Sequence, residues 1–98
     1  MISCYILYSP NLNRYYVGAT QNGVMSRIDK HNDSYYGYQS FTAKTSDWVL
    51  YLNINCETFA HALRIEKKIK SMKSRVYIEN LKKYPELVAK ITEVTKNG

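Results

Sequence analysis

Apolar and polar positions change period several times along the chain, and each change marks an element. From Ile2 to Tyr8 they alternate, with Ile2, Cys4, Ile6 and Tyr8 on one face and Ser3, Tyr5 and Leu7 on the other. That pattern predicts a strand. Ser9 to Asn13, SPNLN, reads as a turn by its proline and asparagines. Arg14 to Ala19 reads as a second strand, with Arg14, Tyr16 and Gly18 on one face. If the hairpin closes with Leu7 opposite Arg14, Tyr5 stands directly opposite Tyr16. Gly18 ends the strand and permits a close backbone approach or a sharp exit. A helix is predicted over about Val24 to Asn32, where Val24, Ile28 and His31 share a face. Arg27 and His31 are four apart, so they lie one above the other.

Asp33 to Thr45 is a polar, aromatic loop in which Tyr35, Tyr36, Tyr38 or Phe41 can stack on nucleotides or simply pack the loop. Trp48 to Ile54 is rich in strand formers and makes a third strand. Glu57 to Lys73 is an amphipathic helix with Phe59, Ala62, Leu63, Ile69 and Met72 along its apolar stripe. Glu66 falls in the middle of that stripe. A carboxylate there must be paired, protonated or facing a cleft. The opposite face carries Arg64, Lys67 and Lys68, with Lys70 and Lys73 at its margins. Ser74 begins a further helix to about Lys83 that includes Asn80, and Pro85 starts a last one over about Glu86 to Val94. The order β-β-α-β-α-α-α predicts an α+β fold: a small three-stranded antiparallel sheet flanked by helices.

The length of 98 residues suits one domain, residues 1–94, followed by a frayed tail, residues 95–98. The formal charge is +6. Between Arg64 and Arg75 stand six basic residues and one acid, so the charge is concentrated on one helix and its exit. That concentration points to a polyanion, most often nucleic acid; a solvated lysine-rich face gives the same pattern. Cys4 and Cys56 lack ligand-like spacing and read as buried free thiols in a reducing compartment. With no signal peptide and no apolar run of membrane-spanning length, the expectation is a cytoplasmic protein with no membrane partner.

Individually, the candidate groups each have an ordinary structural explanation. Tyr5 and Tyr16 suit a cross-strand aromatic pair, Arg27 and His31 a surface arginine beside a half-buried histidine, and Glu66 a structural ion pair. Together they form an ordered set. Tyr5 in a first strand, Tyr16-Val17-Gly18 in a second, Arg27 in the next helix and Glu66 in a later one resemble the GIY-YIG nuclease family, in particular its small single-domain branch. The resemblance spans about Cys4 to Leu81. Ser3 and Cys4 stand where the first motif has glycine and an aliphatic residue. The loop before Arg27 is one residue longer than in the excision-repair members, and Ala19 replaces their lysine, so that role is either empty or filled from elsewhere, with Lys44 the candidate. His31 stands where members carry tyrosine or histidine, and Asn80 is the candidate for a later asparagine.

The resemblance implies a metal-dependent endonuclease that hydrolyses phosphodiester bonds, with DNA favoured over RNA and structure-directed repair or processing as the setting. It implies one magnesium or manganese ion on Glu66, Arg27 on the non-bridging oxygens, and Tyr16 orienting water or phosphate. The proton acceptor is Tyr5, with His31 as partner or substitute. Arg64, Lys67, Lys68, Lys70, Lys73, Lys44 and Asn80 would bind the nucleic acid, largely through its backbone. No sequence-reading element is recognisable, so a protein partner supplying specificity is part of the expectation. The competing reading is a non-catalytic nucleic-acid-binding module that keeps the fold. The joint presence of Tyr5, Tyr16, Arg27, His31 and Glu66 weighs against it.

Overall fold

The alternation from Ile2 to Tyr8 forms a strand, β1 (Ser3–Ser9), and that strand is central. The computed structural model describes residues 1–32 and 44–96. In it β1 lies between β2 (Arg14–Thr20) and β3 (Val49–Asn55) in an antiparallel sheet of order β2-β1-β3. The helices are α1 (Val24–Asn32), α2 (Phe59–Met72), α3 (Arg75–Lys83) and α4 (Pro85–Val94). The expected α+β architecture is the one observed. The aromatic loop expectation for Tyr35, Tyr36, Tyr38 and Phe41 lies outside the described residues. Among the described residues no helix is long and apolar enough to cross a membrane.

A central strand covered on both sides has no solvent face, so its alternation sorts side chains between two cores. Cys4 and Ile6 join Val17, Ala19 and Ile54 beneath Ala62, Ile65 and Ile69 of α2, with Leu81 and Ile91 closing that core. Tyr5 and Leu7 point the other way, into a smaller core with Ile28 of α1 and Trp48. Cys4 is buried and Cys56 only partly so; both thiols are free.

Two expectations are corrected. Tyr5 is not opposite Tyr16: Ser9 pairs with Arg14, Leu7 with Tyr16 and Tyr5 with Gly18. The cause is the hairpin tip. Asn13 adopts a left-handed conformation (φ 53°), and its N–H donates to Ser9 O at 2.7 Å, closing a tight turn. The Asn13 side-chain oxygen then accepts from Tyr8 Oη (2.7 Å) and Arg75 Nη2 (2.6 Å). The shift from the expected register is two residues, so Tyr5 and Tyr16 keep the same face as diagonal neighbours.

The second correction is the rotation of α2. Leu63 and Met72 are exposed, while His61, Ala62, Ile65 and Ile69 are buried. Polar His61 breaks the apparent stripe, yet its Nε2 lies 3.0 Å from both Thr92 O and Thr95 Oγ1 of the α4 end. Glu66 therefore sits at the margin of the buried face, not its middle. Thr58 caps the start of α2 by accepting from His61 N–H at 3.1 Å, and left-handed Lys73 (φ 48°) ends it. Ser74 caps α3 in the same way.

Long-range polar ties hold the loops. Asp47 accepts from Ser9 Oγ (2.5 Å), the Asn11 N–H (2.8 Å) and Thr45 Oγ1 (2.8 Å), and the Ser9 bond foremost keeps its carboxyl below the usual range. Asn32, the last residue of α1, brackets the Trp48 backbone. Its Oδ1 accepts from Trp48 N–H (2.7 Å) and its Nδ2 donates to Trp48 O (3.0 Å). This clasp joins the two ends of segment 33–47 and seats Trp48 against Tyr5. Asn32→Ala removes both bonds to the Trp48 backbone and should cost about 1–3 kcal/mol. Urea unfolding checks this; an unchanged midpoint would mean that the clasp contributes nothing.

Candidate active site

Gly18, Tyr5 and Asn53 form one row across the sheet. The Tyr5 ring leans over Gly18 so closely that a Cβ there would stand 2.5 Å from Tyr5 Oη and 2.6 Å from Cζ. Glycine at this position is a requirement of packing. With the edge strand bare at that point, the phenol reaches His31. Tyr5 Oη and His31 Nε2 are 3.0 Å apart. Both side chains are buried, each 2 % exposed.

His31 arrives from α1 because it shares the buried face with Ile28, four residues being about one helical turn. Burial, and then the nearby charge of Arg27, lower its pKa to about 4. The imidazole is therefore neutral near pH 7. In the tautomer that leaves Nε2 unprotonated, it accepts the Tyr5 hydroxyl proton. Tyr16 closes the cluster: its ring centroid is 4.7 Å from that of His31, 6.5 Å from Tyr5 and 6.4 Å from Trp48.

Helix α2 covers the opposite face of the sheet, but its margin reaches around the β2 edge. Lys70 Nζ lies 5.9 Å from the Tyr16 ring centroid and donates to Glu66 Oε2 at 2.9 Å. Glu66 thus stands one link from Tyr16. Its side chain is 18 % exposed, and its second oxygen has no hydrogen-bond partner among the described residues. Burial, and then the Glu66 charge, push the neighbouring Cys4 thiol well above its usual range. The Glu66–Lys70 pair has the favourable order, acid before base at four residues' spacing.

The structure brings Tyr5, Tyr16 and His31 into direct contact, sets Arg27 close enough to act on His31, and joins Glu66 through Lys70. The basic run divides in two. Arg64, Lys67 and Lys68 line a groove of about 620 Å³ against the end of α4. Arg64 is occupied there, donating to Thr95 O and Lys96 O, each at 2.7 Å. Lys70 and Lys73 instead line a cleft of about 420 Å³ along β2, beside Tyr16. Lys44 is exposed ahead of β3, and Asn80 is half-buried on α3.

Sequence reasoning missed Lys70, whose spacing from Glu66 was a usable signal, as a partner of that carboxylate. It also missed Asn32 and Asp47, whose partners are distant in sequence and leave no local pattern. No group of three or more histidine, cysteine, aspartate or glutamate side chains that could hold a metal occurs among the described residues. Glu66 alone suits a hard cation that retains most of its waters, not an all-protein cage of the zinc type.

Comparison with family models matches the GIY-YIG catalytic domain over residues 1–83. Comparison with curated proteins and with solved structures finds no match.

Two outcomes follow from the packing. Gly18→Ala must displace the Tyr5 ring, costing about 1–3 kcal/mol and breaking the bond to His31; the urea midpoint and the tyrosine hydroxyl signal measure this. The second concerns pH. An imidazole with a folded pKa of about 4 and an unfolded value of about 6.5 binds its proton more readily when unfolded. Its contribution to stability is full above about pH 6.5 and is lost as pH falls to about 4, by up to about 3 kcal/mol. Across that window His31→Gln should lose less stability than the wild type. Equal losses would contradict a depressed His31.

Proposed function

Since the chain belongs to the GIY-YIG family, a nuclease-type family acting on nucleic acid, we propose that it is an endonuclease hydrolysing phosphodiester bonds. The observation that carries this reading is the buried Tyr5–His31 hydrogen bond beside Tyr16, with neutral His31 able to take a proton. DNA is the substrate we propose, recognised by its structure in repair or processing.

Hydrolysis at phosphorus needs a proton acceptor for water, donors for the equatorial oxygens, and charge stabilisation at the leaving oxygen. A phenol with a usual pKa near 10 is a poor base alone near neutrality. Tyr5 has a neutral imidazole at hydrogen-bond distance, so its own proton moves to His31 Nε2 as it accepts one from water. The depressed His31 pKa opposes this transfer, and negative charge gathering beside the imidazole offsets that opposition. Arg27, already next to His31, donates to the non-bridging oxygens. Tyr16 orients the attacking water over the phosphate.

Glu66 would hold a magnesium or manganese ion through the oxygen Lys70 leaves open. The ion would supply Lewis-acid stabilisation of the phosphate and leaving oxygen. Before it binds, Lys70 neutralises the carboxylate and so limits the cost of holding that charge beside a core.

The test is a panel of labelled single-stranded DNA, duplex, flap and RNA with magnesium or manganese. The wild type should cut at least one DNA member, and a chelator should stop cutting without stopping binding. Glu66→Ala should abolish cleavage. Tyr5→Phe should slow it by about 10²–10⁴-fold and Arg27→Ala by about 10²–10³-fold. Full activity in both Tyr5→Phe and His31→Ala would eliminate the proton-transfer pair. Binding without cutting, equal in wild type and Glu66→Ala, would leave a non-catalytic module.

A further inference from the structure

The cleft along β2 has a charge pattern that the chemistry at Tyr5 does not require. Arg14 of β2, Lys70 and Lys73 at the end of α2, and Arg75 at the start of α3 all line it, with Tyr16 at its wall. Two of these cations are committed. Lys70 pairs with Glu66, and Arg75 pairs with Glu79 at 3.3 Å while donating to Asn13. Arg14 and Lys73 are exposed, and among the described residues neither has an ion-pair or hydrogen-bonding side-chain partner. Among the described residues no carboxylate lines the cleft; Glu66 and Glu79 flank it through their bonds to Lys70, Arg75 and Tyr15.

Like charges gathered in one concavity repel, and the local field worsens this. Helix α3 opens at the cleft with no acidic residue in its first turn and Arg75 at its first position. The positive end of a helix dipole favours an acid there. A polyanion lying in the cleft relieves every one of these repulsions at once.

We propose that this cleft carries the nucleic-acid backbone away from the reacting phosphate, with Arg14 and Lys73 contacting phosphates that flank it. Resting on the nuclease reading above, the assignment selects one of the two basic grooves. Lys70 joins the cleft to the site, because it pairs with Glu66 and its ammonium lies over the Tyr16 ring, 5.9 Å from the centroid. The groove of Arg64, Lys67 and Lys68 has no such link, and its arginine is spent on α4. Contacts of this kind are electrostatic and independent of sequence, so they act on affinity and salt dependence and leave the chemical step alone.

The test is fluorescence anisotropy of labelled single-stranded and duplex DNA, in chelator, over a salt series. R14Q/K73Q is compared with K90Q/K96Q, which removes equal charge from exposed sites outside the cleft. R14Q/K73Q should bind about tenfold more weakly at low salt. Its log–log salt slope should fall by about 1.5, two contacts at about 0.7–0.9 each. K90Q/K96Q should stay within about twofold of wild type. With metal present, R14Q/K73Q should raise KM and keep kcat. Unchanged urea midpoints show that both variants fold. Wild-type affinity and slope in R14Q/K73Q, or an equal loss in K90Q/K96Q, would overturn the cleft while leaving wild-type cleavage intact. Failure of the wild type itself to bind at low salt would overturn both readings.

Discussion

The bond between the Tyr5 hydroxyl and His31 exists because Gly18 has no side chain. The phenol crosses the edge strand at a separation that a single Cβ would abolish. That one close approach orders the rest of the site. It turns Tyr5 towards α1, which brings His31 and, behind it, the charge of Arg27. It also leaves Tyr16 as the outer wall at the β2 edge, where Lys70 comes around from α2.

Burial on both faces of β1 has a further consequence. The site rests on Trp48, Leu7 and Ile28, while the carboxylate is delivered by a helix packed on the other core. Glu66 is therefore linked to Tyr16 through Lys70 around the sheet edge, not through the sheet. Its position depends on the rotation of α2, which Ile65 and Ile69 set by their burial and His61 by its bonds to the α4 end. The polar contacts of His61 with the α4 end thus help to set where Glu66 stands.

How much of this was legible in the sequence varies with the range of the interaction. Elements set by local signals were readable: α1 matches the span expected from Val24, Ile28 and His31, and Thr58 and Ser74 mark two helix starts. The register was not, because it depends on Asn13 taking a left-handed turn and bonding to Tyr8 and Arg75. Counting Leu63 and Met72 in the α2 stripe and passing over Ile65 misplaces it, since apolar character says nothing of which flank meets the sheet. The candidate site residues are readable only as an ordered set of types. Their connections, Gly18 beneath Tyr5 and Lys70 between Glu66 and Tyr16, needed coordinates. So did the division of one basic run into two grooves, because residues three apart on α2 face different neighbours.

In the proposed mechanism Tyr5 is a proton acceptor for water, with His31 behind it, and not a nucleophile. The most direct measurement is the stereochemistry of cleavage of a DNA phosphorothioate of single configuration at phosphorus, with magnesium or manganese present. A single in-line displacement by water predicts metal-dependent cleavage with inversion. Retention would mean two displacements through a phosphotyrosyl enzyme and would contradict the account, as would the absence of cleavage across the substrate panel.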